Sequence, residues 1–169
     1  ARKHGVPMQT TGLGSIFGIH FHDGPIRNAA DLDKGEHGRE SAIADLKKMP
    51  KGEVMFGFEC SGNRAPVQGL CSNGKWTGVP LAALLKAAGL KADGREVVFL
   101  GADHGTEEVE WRTQKYSLDQ QFGRSLPRDK ALSAEPLVAY AYNDEPLSRH
   151  QGFPLRLIVP GDYGVANVK

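Results

Sequence analysis

Val54-Met55-Phe56-Gly57-Phe58-Glu59-Cys60-Ser61-Gly62-Asn63 is the stretch on which the reading of this chain turns. Its apolar run is too short for a helix and predicts a strand buried on both faces. The strand runs straight into a Cys-Ser-Gly-Asn turn, so a rigid element delivers a thiol to a loop. Once deprotonated, such a sulfur is a nucleophile or a soft ligand for a transition metal. It is equally a buried structural cysteine, or half of a disulfide with Cys71.

Toward the C-terminus, a loop over 62–75 leads to Trp76-Thr77-Gly78-Val79-Pro80. Leu81, Leu84, Leu85 and Ala88 then follow the i, i+3, i+4, i+7 spacing of an amphipathic helix. Pro80 stands at its start and Gly89 at its end, the usual helix punctuation. Glu96–Leu100 predicts a strand that ends at Gly101-Ala102-Asp103. Residues 107–112 read as charged and exposed, and 127–132 as one helical turn. Leu137–Tyr142 and Leu155–Val159 predict strands joined by a turn-rich stretch over 143–152. Toward the N-terminus, 41–49 predicts a short helix closed by Pro50. Residues 1–40 read as loops around one apolar stretch, Ile16–Phe21. Strands and short helices alternate without a βαβ rhythm, so the expected class is α+β: mixed β-sheets, short helices and many loops.

Composition agrees and excludes several functions. Nearly one residue in five of the 169 is Gly or Pro, against a usual ~12%. A net charge of +1 provides no global attraction for nucleic acid or an anionic membrane. No apolar run approaches the ~20 residues of a membrane span, and no stretch reads as a signal peptide. Beginning at Ala1, the chain is expected to be a mature form, a processed form or a fragment.

The six histidines form no zinc signature: His20 and His22 share a strand face, but no HExxH or CxxC accompanies them. Neither a nucleophile elbow nor a glycine-rich phosphate fingerprint is present. Trp76 and Phe153 read as core aromatics. Arg156 is the unusual cation, placed inside Leu155-Arg156-Leu157-Ile158-Val159. By two-residue alternation Arg156 and Ile158 share one face, and Leu155 and Leu157 the other. A guanidinium there needs an anion, either an internal carboxylate or a phosphate held bidentately.

Taken together, these blocks resemble a known family. Glu59-Cys60-Ser61-Gly62-Asn63, Trp76-Thr77-Gly78-Val79-Pro80-Leu81, Gly101-Ala102-Asp103, Gly152-Phe153-Pro154-Leu155-Arg156-Leu157-Ile158-Val159-Pro160-Gly161 and Asn167-Val168-Lys169 stand in the order of the sulfite oxidase family. The chain is similar to that family's molybdopterin-binding domain from about residue 41 to its end. Arg2-Lys3-His4-Gly5-Val6-Pro7 looks like the family's opening motif, whereas 8–40 depart from its pattern.

The resemblance implies a sulfite-oxidase-type fold and a molybdenum–molybdopterin cofactor, with Cys60 as the protein's thiolate ligand to the metal and a catalytic residue. Arg2, Lys3, His4, Asp103, Gln151, Arg156, Asn167, Val168 and Lys169 are implied as cofactor-binding, with Arg2 also attracting the substrate. Gln151 stands where several sulfite oxidases carry His. The implied activity is oxygen-atom transfer to or from a small sulfur oxyanion. The alternatives are a sulfoxide or other oxyanion reductase, or a cofactor-free binding domain that kept the fold. Implied partners are a small anionic substrate and a redox protein such as a cytochrome, and the implied location is the periplasm. Residues 1–169 are expected to form a single domain without the family's C-terminal immunoglobulin-like dimerisation domain, and without its downstream active-site Tyr.

Overall fold

A computed structural model describes residues 9–13, 16–20 and 43–169, the first two segments as backbone only. Strands β1 (Gln9–Leu13) and β2 (Ile16–His20) pair as an antiparallel hairpin, where the sequence suggested loops. Residues 43–46 are helical and bury Leu46, and the turn after them buries Met49 before Pro50. The rest of the predicted helix is this turn and residues 41 and 42, which lie outside the described residues.

The main sheet is antiparallel throughout. Strand β3 (Gly52–Glu59) pairs with β4 (Cys71–Pro80), and β4 with β7 (Leu137–Tyr142). The far edge of β7 takes β8 (Glu145–Pro146) on one half and β9 (Arg156–Ile158) on the other. Helix α1 (Leu81–Ala88) follows β4 without a loop, as the spacing predicts, and the Leu90 N–H closes it by donating to the Leu85 carbonyl at 3.1 Å. Helix α2 (Arg128–Leu132) is the predicted turn near 127–132.

Several expectations need correction. β3 is an edge strand covered on one face only: Met55 is 72% exposed, while Val54, Phe56 and Phe58 pack beside Trp76. An apolar run by itself does not say whether one face or two will be covered. β4 begins at Cys71, so the connection after Cys60 is shorter than the predicted loop. Phe153 is 50% exposed rather than in the core, whereas Trp76 is buried. Most extensive is the strand predicted to end near Gly101. It continues as β5 (Glu96–Trp111) and pairs with β6 (Gln114–Pro127) in a long ribbon.

Burial follows the two-residue alternation of the strands. Leu157 and Val159 pack with Leu81, Leu85, Val97 and Ala131 on the helical side of the sheet. Ile158 packs on the opposite side with Trp76, Leu137, Ala139 and Leu147. A third cluster joins Leu46 and Met49 to Val79 and Leu84. Among the described residues no helix is long and apolar enough to cross a membrane.

Close approach of β4 and β7 depends on Gly78, beside an irregularity in their register. A Cβ there would collide with the Val138 carbonyl oxygen and lie 2.6 Å from the Ala139 Cα, both backbone and unable to swing aside. Gly78→Ala is therefore expected to destabilise the protein by roughly 1–3 kcal/mol. Thermal unfolding checks this: an unchanged midpoint would show that the two strands are not held so close.

Candidate active site

The site begins where β3 ends. Glu59 is its last residue and pairs with Cys71 across the ribbon. By alternation the next residue, Cys60, faces the opposite side from Cys71. Both cysteines are free and exposed, so the buried and disulfide alternatives for Cys60 do not hold. The Cys60 N–H donates to the Leu70 carbonyl at 3.0 Å, and its own carbonyl accepts from Asn63 N–H at 2.9 Å. The Gly62 N–H stands 3.4 Å from Sγ. Asn63 braces the turn: its amide group donates to Glu59 Oε1 and its oxygen accepts from Leu70 N–H, each at 3.3 Å. The Glu-Cys-Ser-Gly-Asn block thus fixes the direction of one sulfur. Nothing in the sequence reading had assigned Asn63 this role.

Arg156 opens β9 on the face it shares with Ile158, as the alternation predicts. Its guanidinium lies 4.7 Å from the ring centre of Phe58 and 5.9 Å from that of Trp76. Phe58 is two residues before Cys60 on β3, so by alternation the thiol and the guanidinium belong to one face of the sheet. Arg156 Nη1 donates to the Gln151 carbonyl at 3.2 Å, but its buried Nε has no partner. Among the described residues no carboxylate forms an ion pair with it. Burial lowers its pKa from the ordinary value, and the Asp103 carboxylate partly restores it.

The remaining candidates divide into two groups. Lys169 and Arg156 both close on Gly152: a Cβ there, where φ is +99°, would be 2.5 Å from Lys169 Cβ and 3.5 Å from Arg156 Cβ. The Lys169 carbonyl accepts from Ala102 N–H at 2.9 Å, which holds the chain end beside the Gly101-Ala102-Asp103 bulge of β5. Asp103, Gln151, Arg156 and Lys169 are therefore brought together. Asn167 and Val168 are engaged within the fold. The Asn167 oxygen accepts from Val159 N–H at 2.7 Å, and its amide group donates to the Tyr163 and Gly164 carbonyls. Val168 is buried, and its carbonyl accepts from Leu157 N–H at 2.8 Å. The Gln151 side chain accepts from Ser148 N–H in a capping box, leaving its backbone carbonyl for Arg156. Arg2, Lys3 and His4 lie outside the described residues. Next to the cluster, a cleft of about 550 Å³ runs from Asp103 along β5 and β6 to Arg124.

Sequence reasoning missed the aromatic platform under Arg156. Its signal was present in Phe56 and Phe58, which alternate on the same strand face as Cys60. A guanidinium over such rings gains about 0.5–2 kcal/mol, too little to replace an anion when it is partly desolvated.

These residues suit a phosphate-bearing metal cofactor. An orphaned Nε on a half-buried guanidinium, with Lys169 approaching the same glycine, Gly152, is a cationic site with a donor left to give. No group of three or more His, Cys, Asp or Glu side chains gathers as a metal site among the described residues. Among those residues Cys60 is thus not one of a ready-made set of metal ligands.

Comparison with known proteins agrees with this chemistry. Residues 33–169 match the family described as the oxidoreductase molybdopterin binding domain. The mitochondrial sulfite oxidase of Drosophila melanogaster is 33% identical over 165 residues, covering 86% of this chain and 27% of that protein. The mitochondrial sulfite oxidase of Rattus norvegicus is 34% identical over 145 residues, covering 76% and 24%. The crystal structure of the sulfane dehydrogenase SoxCD from Paracoccus pantotrophus superposes with a TM-score of 0.62 at 25% identity, covering 97% of this chain and 36% of that one. The chain thus spans about a quarter of the length of these curated relatives.

Proposed function

The chain belongs to the oxidoreductase molybdopterin binding domain family, and from that premise we propose that it is the cofactor-holding domain of a molybdenum-dependent oxidoreductase that transfers an oxygen atom to or from a small sulfur oxyanion. One observation carries the reading: the buried, unpartnered Nε of Arg156, whose stem meets Gly152 as Lys169 does, on the sheet face that by alternation also bears Cys60. When bound, the molybdenum centre supplies the oxygen transfer and the two-electron change.

The chain's own residues do the rest. Cys60 offers the metal a soft sulfur whose direction the Asn63-braced turn fixes. Arg156 and Lys169 would hold the cofactor's phosphate, and the Phe58 and Trp76 rings carry the guanidinium. The Gln151 carbonyl takes Nη1 and leaves Nε free for that anion. Arg2 draws the anionic substrate inward, and Lys3 and His4 complete the cofactor contacts. A cytochrome-like electron partner and a periplasmic location belong to the same proposal.

The test is metal content and turnover of the full gene product made with a molybdenum cofactor supply. Near-stoichiometric molybdenum with sulfite-type oxidation is the expected result. Full metal with activity only as a sulfoxide or other oxyanion reductase would replace the sulfur-oxyanion assignment by that one. Absence of molybdenum would overturn the proposal in favour of a binding domain.

A further inference from the structure

Beyond the bulge at Gly101-Ala102-Asp103, β5 and β6 continue as a two-stranded arm, with His104–Trp111 paired to Gln114–Gln121. A ribbon of two strands is marginal in water by itself. Arg112 and Thr113 form its two-residue turn, with φ of 51° and 67°. In such a hairpin the pair flanking the turn is hydrogen-bonded, and the pairs alternate from there. Gln114, Tyr116, Leu118 and Gln120 therefore bond inward to β5. Lys115, Ser117 and Asp119 turn their N–H and C=O groups outward, where no other strand pairs with β6 among the described residues.

An exposed strand edge is usually blunted by proline, by a bulge or by charges that repel a partner. Gln114–Gln121 holds no proline, and its two charges do the opposite. Lys115 and Asp119 are placed symmetrically about Ser117. An antiparallel partner with the same sequence, centred on Ser117, sets each Lys115 opposite the other copy's Asp119. The same register joins only outward-facing residues, giving about six N–H···O bonds over three pairs. On the other face it sets Tyr116 against Leu118 of the second copy, in the closer, non-hydrogen-bonded pairs. These side chains are 38% and 44% exposed in the single chain, with Trp111 at 58% on the same face. The β5 edge does not match itself in this way: centred on Glu108, opposite Ser117, it sets Glu108 against its own copy and Glu110 against Thr106, with no opposite-charge pair.

We propose that the outer edge of β6 is a self-association site, pairing with the same edge of a second copy about a two-fold axis at Ser117. The four-stranded ribbon so formed joins the two arms' apolar faces side by side and involves neither Cys60 nor Arg156.

The test uses the cofactor-loaded protein with Cys71→Ser, which removes one exposed native thiol. Ser117→Cys is close to isosteric and brings two sulfurs to the axis, where paired Cα atoms ~5.5 Å apart lie within disulfide range. Under a mild oxidant, Ser117→Cys is expected to cross-link at least about 10-fold faster than Glu108→Cys, which stands on β5 away from the axis. Adding Lys115→Asp or Asp119→Lys places two like-charged pairs across the axis and should slow cross-linking about 10-fold each. Mixing those two variants restores opposite charges at both pairs and should restore the rate. Cross-linking no faster than Glu108→Cys overturns the proposal, as does a rate indifferent to charge reversal. A mixture that stays slow overturns it too, with each variant's fold verified by its thermal transition.

Discussion

Cys60→Ser is expected to leave the fold intact and to remove oxidoreductase turnover. The side chain is exposed at a strand end, so replacing sulfur by oxygen changes stability by no more than about 0.5 kcal/mol. Turnover should fall by more than about 100-fold, because even the loss of an outer-shell partner to a metal ligand costs 10–100-fold. A serine hydroxyl is a hard, weakly acidic donor and a poor substitute for thiolate on a high-valent transition metal. Cys71→Ser is the matched control: that thiol is also free and exposed, but it projects from the opposite side of the ribbon, and its loss should be nearly silent. Steady-state kinetics with molybdenum content checks both. Full turnover by Cys60→Ser with full metal loading would remove Cys60 from the metal's ligand set.

Arg156→Met separates a cofactor site from a structural cation. Without cofactor, the guanidinium is held on Phe58 and Trp76 with a bare Nε and no ion pair among the described residues. Methionine covers the same rings with an apolar chain and a polarisable sulfur. The cofactor-free variant should thus be as stable as wild type or up to about 1–4 kcal/mol more stable, the range seen when buried charges give way to apolar side chains. The loaded protein should instead lose cofactor retention by roughly 2–5 kcal/mol, the cost of truncating one partner of a buried charge pair. Thermal unfolding of both proteins, each with and without cofactor, gives the four values required. Equal destabilisation in both states would return Arg156 to an internal structural role, with Asp103 as its carboxylate.

The two predictions rest on residues whose legibility differed. Cys60 was visible because an apolar run and a Ser-Gly-Asn turn meet at it, and local chemistry alone marks such a place. Arg156 was visible as a charge interrupting an apolar alternation, yet its anion was not, since partners come from distant strands. Asn167 and Val168 are expected at the cofactor from motif order, and the fold adds hydrogen bonds to β9 and its flank that no local pattern announced. Only the tertiary arrangement shows which polar atoms remain free.

The sequence by itself determined the elements that local rules can specify. Helix α1 lies where the leucine spacing, Pro80 and Gly89 put it, and β7 has the predicted ends. The alternation of β9 correctly assigned Arg156 and Leu157 to opposite faces. These features depend on the 3.6- and 2-residue periods and on backbone preferences within a few positions. Tertiary structure alone decided that β3 is an edge, that β5 passes its glycine into a long arm, and that β6 exists as its partner. The arm's side chains are mostly polar and exposed, so no buried face imposes a pattern on them. Its strands are held by backbone pairing across a two-residue turn without glycine, which side-chain periodicity does not encode.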